Sequence, residues 1–232
     1  MELKCYRCCC WPCECKDGQT IIHGDCLDVL PLLPKVDVLL TDPPYGISGG
    51  SGGDRRLGKA KYAASGWDDT PSYIVNRVVP AVAFFVAAGV RGTVTPGLRC
   101  WRMYPSENAA GCFWLPAAVT HGSWGFTCFT PILYYGRDPR SGIGQLPSGI
   151  AVTSPSEKNG HPCPKPIAAW RWLLNKLAPE CDEVTIDPFM GSGTTLVAAK
   201  KLNRRGIGIE IEEKYCEIAA NRLRQEVLQF TD

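Results

Sequence analysis

Val184-Thr185-Ile186-Asp187-Pro188-Phe189-Met190-Gly191-Ser192-Gly193-Thr194-Thr195 is a β-rich apolar run that breaks at a proline, turns through two glycines and enters a helical pattern. Glycines at 191 and 193 let the backbone turn sharply and approach a ligand closely. The N–H groups of the helix that follows would face that ligand with the positive end of the dipole. Outward from this turn, Thr194 to Leu202 reads as a helix, Gly206 to Ile209 as a strand and Glu212 to Phe230 as an amphipathic helix. Pro166 to Leu177 reads as a helix with proline near its start. Strands alternating with helices predict an α/β fold, a doubly wound and mostly parallel sheet. Glu210 ends the next strand, seventeen residues past Gly193, where an acid can accept both hydroxyls of a ribose. The turn therefore signals a nucleoside-containing cofactor. The third glycine of the pyrophosphate fingerprint is missing, and Asp187 suits a cation better than a pyrophosphate. S-adenosylmethionine carries an ammonium and a sulfonium and meets both conditions; an NAD site or plain strand–turn–helix packing are the alternatives.

The first half of the chain supplies a second strand end. Ile21-Ile22 is a short strand, followed by the turn Gly24-Asp25-Cys26 and a short helix stopped by Pro31. Val36 to Thr41 is apolar enough for a strand buried on both faces. It stops at Asp42-Pro43-Pro44-Tyr45, where two prolines forbid both ladder donation and helix. Residues 46–62 hold six glycines and two serines, with Arg55, Arg56, Lys59 and Lys61 against a lone Asp54. This basic loop, taken as 46–66, is expected to be mobile and to contact phosphate, although a solvated loop is the bland alternative. Ser72 to Gly89 reads as a helix with Pro80 as a kink or break, and 91–136 as several short strands. Residues 137–160 are turn-rich and polar, and the insert 96–128 carries Arg99, Trp101, Arg102, Tyr104 and Trp114.

The 232 residues suit one domain with an appendage, here a catalytic domain over 20–232 and a Cys-rich tail over 1–19. With 45% hydrophobic and 21% charged residues, a disordered or fibrous chain is excluded. A net charge of +2 means that nucleic-acid affinity must come from a local patch. No apolar run approaches a membrane span and no leader pattern opens the chain, so the expectation is a soluble cytoplasmic protein without a membrane partner. Six of thirteen cysteines crowd the first fifteen residues. Cys5-x2-Cys8 and Cys13-x-Cys15 offer four ligands for one zinc, yet the second spacing is tight and the usual ribbon length is lacking. Reduced tail thiols without metal, dispensable for catalysis, are the reading adopted.

Asp42-Pro43-Pro44-Tyr45 together with Asp187 to Thr195 resembles the amino-group DNA methyltransferases that modify adenine N6 or cytosine N4. The tetrapeptide precedes the cofactor turn, which resembles the circularly permuted β class of that family. Gly24-Asp25-Cys26 is similar to the segment whose acid contacts the cofactor's adenine. His161-Pro162-Cys163-Pro164-Lys165-Pro166 is similar to the block that helps hold the methionine end, and Phe129 to Gly136 to the strand ending the catalytic region. The resemblance covers residues 21–225. It implies a small DNA-recognition segment at 137–160, with Arg99, Trp101, Arg102, Tyr104 and Trp114 of the insert 96–128 sharing the task. It implies a Rossmann-like methyltransferase fold, S-adenosylmethionine as cofactor, double-stranded DNA as partner and a monomer or homodimer, as in restriction-modification enzymes. It also implies Asp42, Pro43, Pro44 and Tyr45 as the catalytic group. The cofactor would be held by Asp25, Cys26, Asp42, His161, Lys165, Asp187, Pro188, Phe189, Gly191, Ser192, Gly193, Thr194, Thr195 and Glu210.

The chemistry accounts for these residue types. An exocyclic amino group is a poor nucleophile because its lone pair is delocalised into the ring. If the Asp42 carboxylate and the Pro43 carbonyl each accept one N–H, the nitrogen moves toward sp³ and its lone pair is freed. In-line displacement on a sulfonium methyl then needs mainly positioning. Tyr45 would stack on a base flipped out of the duplex. Aspartate at position 42 favours adenine N6; cytosine N4 is the alternative, and a DNA-binding remnant without turnover is the alternative of another class. A Cys163 nucleophile of the carbon-5 cytosine type is disfavoured, because that family sets its cofactor turn before the Pro-Cys pair.

Overall fold

The computed structural model describes residues 3–46, 69–114, 120–122, 125–153 and 165–225. Among them, ten strands are named in chain order: β1 (Gln19–His23), β2 (Val38–Thr41), β3 (Arg91–Val94), β4 (Ala109–Trp114), β5 (Thr120–Gly122), β6 (Gly125–Thr127), β7 (Phe129–Tyr135), β8 (Ile150–Ala151), β9 (Val184–Asp187) and β10 (Arg205–Glu210). Eight of them form one sheet in the order β1-β10-β9-β2-β3-β7-β4-β8, and β5 pairs with β6 as a separate antiparallel ribbon. The five strands from β1 to β3 are parallel, and β7 is antiparallel to both its neighbours. The expected doubly wound sheet is present.

All four residues of β2 are buried, as a strand covered on both faces requires. Leu39 packs with Ile74, Val78, Val82 and Phe85 of the helical stretch that leads into Val79–Ala87. Val38 and Leu40 pack on the other face with Trp170, Leu173 and Leu174 of helix Ile167–Leu177. Burying a side chain of this size contributes about 1.5–3 kcal/mol, so an apolar strand with helices on both faces is the stable arrangement. The stretch before Val79–Ala87 begins at Pro71–Tyr73, capped by Thr70, and passes through a wide π turn at Ile74–Val78. Pro80, which lacks an N–H, follows that turn and the helix continues through it.

The connections define where a ligand binds. From β9 the chain crosses through helix Thr194–Lys201 to β10 on one side; from β2 it crosses through the stretch ending at Ala87 to β3 on the other. The carboxyl ends of β9 and β2 therefore flank a topological switch point, the crevice where open α/β sheets bind ligands.

Two expectations are corrected. Residues 3–19 are no irregular tail: Leu3 and Cys5 are buried, the Tyr6 N–H donates to the Ile21 carbonyl at 2.7 Å, and Arg7 pairs with Asp17 at 2.7 Å. The sequence lacks apolar periodicity here because single side chains, not a helix or strand, make the contacts. The recognition segment 137–160 also divides differently. Gly136 lies against Arg91 at the start of β3, Lys176 binds the Leu146 carbonyl at 2.9 Å, and Ile150–Ala151 completes the sheet as β8. Residues 137–148 thus sit at the amino ends of the parallel strands, the end away from Asp42. By contrast β4 ends and β7 begins at the carboxyl end, so the β5–β6 ribbon connects strands on the side of the crevice.

Candidate functional site at the switch point

The turn after β9 is built around a buried carboxylate. Asp187 Oδ1 accepts from Thr41 Oγ1 at 2.7 Å and from the Phe189 N–H at 3.1 Å, and Oδ2 accepts from Thr195 Oγ1 at 2.5 Å. The Trp170 indole N–H donates in turn to Thr195 Oγ1 at 2.9 Å. Burial pushes the Asp187 carboxyl up to about 6, against the hydrogen bonds from Thr195, Thr41 and Phe189. The side chains of Asp187 and Thr195 therefore hold the turn from behind and tie β2 to β9. Gly191 and Gly193 take φ of +52° and +79°, the left-handed region that favours glycine. A Cβ on Gly193 would also stand 2.7 Å from Ala219 Cβ, so the C-terminal helix Glu213–Arg224 packs directly on the turn. Arg222 of that helix donates to the Ser192 carbonyl at 2.6 Å.

Glu210 faces the turn from the end of β10. Its Oε2 accepts from the Gly191 N–H and its Oε1 from the Glu212 N–H, each at 2.9 Å. Burial raises its carboxyl to about 7, with the Asp187 charge adding to the rise. Asp25 caps helix Cys26–Val29 through the Leu27 N–H and pairs with Arg77 at 3.3 Å. Cys26 itself points into the core, where burial lifts its thiol to about 12; its side chain packs rather than presenting a ligand group. Asp25 and Glu210 both act on Tyr73, and the Asp187 charge acts on Glu210, so these three acids form a row at the carboxyl ends of β1, β10 and β9. The repulsion between Asp187 and Glu210 favours a cationic ligand.

The Asp42-Pro43-Pro44-Tyr45 segment leaves β2 beside this row. Asp42 Oδ1 accepts from Thr95 Oγ1 at 2.5 Å and Tyr45 Oη at 2.6 Å, and Oδ2 pairs with Lys165 Nζ at 2.5 Å. Lys165 Nζ also lies 4.8 Å from the Tyr45 ring centre. Burial opposes the lysine charge, but the adjacent Asp42 outweighs it and holds the ammonium above its ordinary range. Lys165 therefore stands on the Asp42 side of the crevice, with the tetrapeptide. Tyr45 is fixed by Gly97, whose Cβ would come within 2.7 Å of Tyr45 Cγ, and by Cys100, whose thiol donates to the Tyr45 carbonyl at 3.3 Å. The Gly46 N–H donates to the buried Asp69 carboxylate at 2.5 Å, which joins the two ends bordering residues 47–68. Helix Gly97–Cys100 and the turn Trp101–Met103 continue past Tyr45 with Leu98, Arg99, Trp101, Arg102 and Met103 exposed, a basic and apolar rim.

The structure thus brings together Asp25, Asp42, Tyr45, Lys165, Asp187, Glu210 and the glycine turn. His161, Arg55, Arg56, Lys59, Lys61 and the loop 47–66 fall outside the described residues. Thr41, Thr95, Gly97, Trp170 and Arg222 were not legible as site residues. Thr95 read only as the end of a short β-rich run, and nothing in the sequence links Thr41 or Trp170 to partners 146 and 25 residues away.

Comparisons with known proteins agree with this fold. Residues 120–221 match the family N6_N4_Mtase, described as DNA methylase. The Type II methyltransferase M.ScaI of Streptomyces caespitosus is 28% identical over 89% of this chain and 81% of its own length. Among solved structures, the M1.HpyAVI–SAM complex superposes with a TM-score of 0.64 at 19% identity, over 89% of this chain and 100% of that one. The cytosine-N4-specific PvuII DNA methyltransferase superposes with a TM-score of 0.62 at 13% identity, over 91% and 88%. At these identities the two structures bear on the fold.

Proposed function

We propose that this chain, which belongs to the N6/N4 DNA methylase family, transfers a methyl group from S-adenosylmethionine to the exocyclic N6 of adenine in double-stranded DNA. The observation that carries the reading is the meeting of two strand ends across the switch point. The Asp42 tetrapeptide and the Gly191–Gly193 turn are tied together by the Thr41–Asp187 hydrogen bond. The residues fit the cofactor: the Asp187 and Glu210 carboxylates at the turn suit a ligand with an ammonium and a sulfonium, and Glu210 and Asp25 border the turn as acceptors for hydroxyl and amino groups. M1.HpyAVI, which shares the fold, forms a complex with SAM.

S-adenosylmethionine, when bound, supplies a sulfonium methyl open to in-line displacement. The chain's own part is positioning and charge. Among the described residues, Asp42 Oδ1 already accepts two hydrogen bonds and Oδ2 one. A carboxylate oxygen takes about two, which leaves one direction on Oδ2 for the amino N–H. The carboxylate then stabilises the positive charge that develops on the attacking nitrogen. Tyr45 borders the base, with Gly97 and Lys165 limiting where its ring can lie. The exposed rim at Arg99, Trp101 and Arg102 supplies cations and an aromatic face beside the crevice, the pattern that nucleic-acid surfaces use. Arg55, Arg56, Lys59 and Lys61 are the proposed phosphate contacts.

Cytosine N4 is the second reading, favoured by the fold shared with PvuII methyltransferase; the same acceptor geometry serves both bases. Incubation with labelled S-adenosylmethionine and unmethylated duplex DNA, then digestion to nucleosides and mass analysis, separates them. N6-methyldeoxyadenosine product is expected. N4-methyldeoxycytidine would replace the adenine assignment, and no labelled nucleoside would overturn the reading.

A further inference from the structure

The thiols of Cys5, Cys8, Cys13 and Cys15 converge on one point. Their four sulfur atoms all lie within 4.8 Å of one another, with Cys5–Cys13 at 3.3 Å, Cys8–Cys13 at 3.8 Å and Cys5–Cys15 at 4.0 Å. A tetrahedral zinc with bonds of about 2.3 Å has sulfur–sulfur edges of about 3.8 Å. We propose that these four cysteines bind one structural zinc ion, which fastens the N-terminal segment over the exposed edge of β1. The proposal replaces the expectation of metal-free tail thiols. The tight Cys13-x-Cys15 spacing is accommodated because the Cys15 N–H folds back onto Cys13 Sγ at 3.4 Å, and Cys9, in the left-handed region, closes the Cys5–Cys8 turn by donating to the Cys5 carbonyl at 2.8 Å.

Binding Zn²⁺ releases the four thiol protons to solvent and leaves a formal charge of −2. The guanidinium of Arg7 compensates this in part, since it feels both Cys5 and Cys15. The cage then holds what lies on either side of it. Tyr6 bonds β1 at Ile21 and packs edge-on against His23, Arg7 reaches the Gln19 carbonyl at 3.1 Å, and Trp11 packs on the core. β1 is an end strand of the sheet, and these contacts cover an edge that would otherwise be open to pairing.

The test is metal content of the purified full chain by mass spectrometry, with about one zinc per chain expected. Cys8→Ser should lower zinc at least about tenfold after a chelator wash, whereas Cys181→Ser, at an exposed cysteine away from the cage, should leave it unchanged. Should Cys8→Ser fail to fold, the wild-type chain stripped by chelator and refilled with cobalt(II) gives the second readout. Sulfur-to-metal charge-transfer bands and a raised melting midpoint on refilling are expected. Zinc absent from the wild type with no cobalt thiolate spectrum, iron in its place, or a Cys5–Cys13 disulfide in peptide mapping would each overturn the proposal.

Discussion

Replacing Gly97 by alanine tests whether the Tyr45 ring must lie where the structure holds it. Gly97 has φ of +67°, and a Cβ there would stand 2.7 Å from Tyr45 Cγ. Carbon atoms in contact sit about 3.5–4.0 Å apart, so the ring must retreat by about 1 Å. Holding an L-residue in the left-handed region costs about 1–2 kcal/mol, and overpacking a further 1–3 kcal/mol or so. In a chain of this size each kcal/mol lowers the melting midpoint by about 2–4 °C, so a fall of roughly 4–20 °C is expected. A 1 Å displacement beside the reacting nitrogen costs on the order of 10²-fold in rate. Gly89→Ala is the control, because Gly89 has φ of +72° with nothing within 4 Å of its Cβ. It should carry the backbone cost alone and keep its rate. Methyl transfer to DNA at saturating cofactor, with S-adenosylmethionine affinity by calorimetry, separates the cases. A Gly97→Ala enzyme turning over within about twofold of the wild type would refute the reasoning that Tyr45 acts from this position.

Glu210→Gln should weaken S-adenosylmethionine binding by about 1–3 kcal/mol, the scale of a lost charged hydrogen bond. With the Glu210 carboxyl raised to about 7, the cofactor affinity of the wild type should fall as pH drops through that value, and calorimetry at pH 6 and 8 checks it. The sign for stability is opposite. The folded state keeps this proton up to about 7 and the unfolded chain releases it near 4.5, so the ligand-free protein should melt higher as pH falls between them. Deleting residues 2–16 should lower the melting midpoint and the soluble yield, because burial of Leu3 alone is worth about 2–3 kcal/mol and the edge of β1 loses its cover. Charge reversal at Arg55 and Arg56 should weaken DNA binding and flatten its salt dependence, measured as affinity against salt concentration.

What the sequence made legible was local: strands that change abruptly into Pro- or Gly-bearing turns, and an acid at the end of the next strand. Asp42, Asp187, Gly191, Gly193 and Glu210 were readable because each sits at such a boundary. Their partners were not readable, because they come from elsewhere in the chain. Thr41 meets Asp187, Lys165 meets Asp42 and Arg222 meets Ser192 only after the sheet has formed. Lys165 was assigned by resemblance to the cofactor block, yet its ammonium is drawn to the nearest unbalanced carboxylate, Asp42. The N-terminal segment misled for a different reason. Helix and strand leave periodic patterns, whereas a cluster of thiols and three or four anchoring side chains leaves none. Residues 137–148 were read as part of a DNA reader from their polarity, and polarity does not say which end of a sheet a loop occupies.

The central claim is that Asp42 receives the target amino group while the glycine turn and Glu210 hold the cofactor. It is tested most directly by measuring S-adenosylmethionine affinity and methyl transfer to DNA side by side for Asp42→Ala and the wild type. The account predicts nearly unchanged cofactor affinity and a rate lower by on the order of 10²-fold or more, because the acceptor acts mainly in the transition state. An Asp42→Ala enzyme with near-normal turnover on DNA would contradict it.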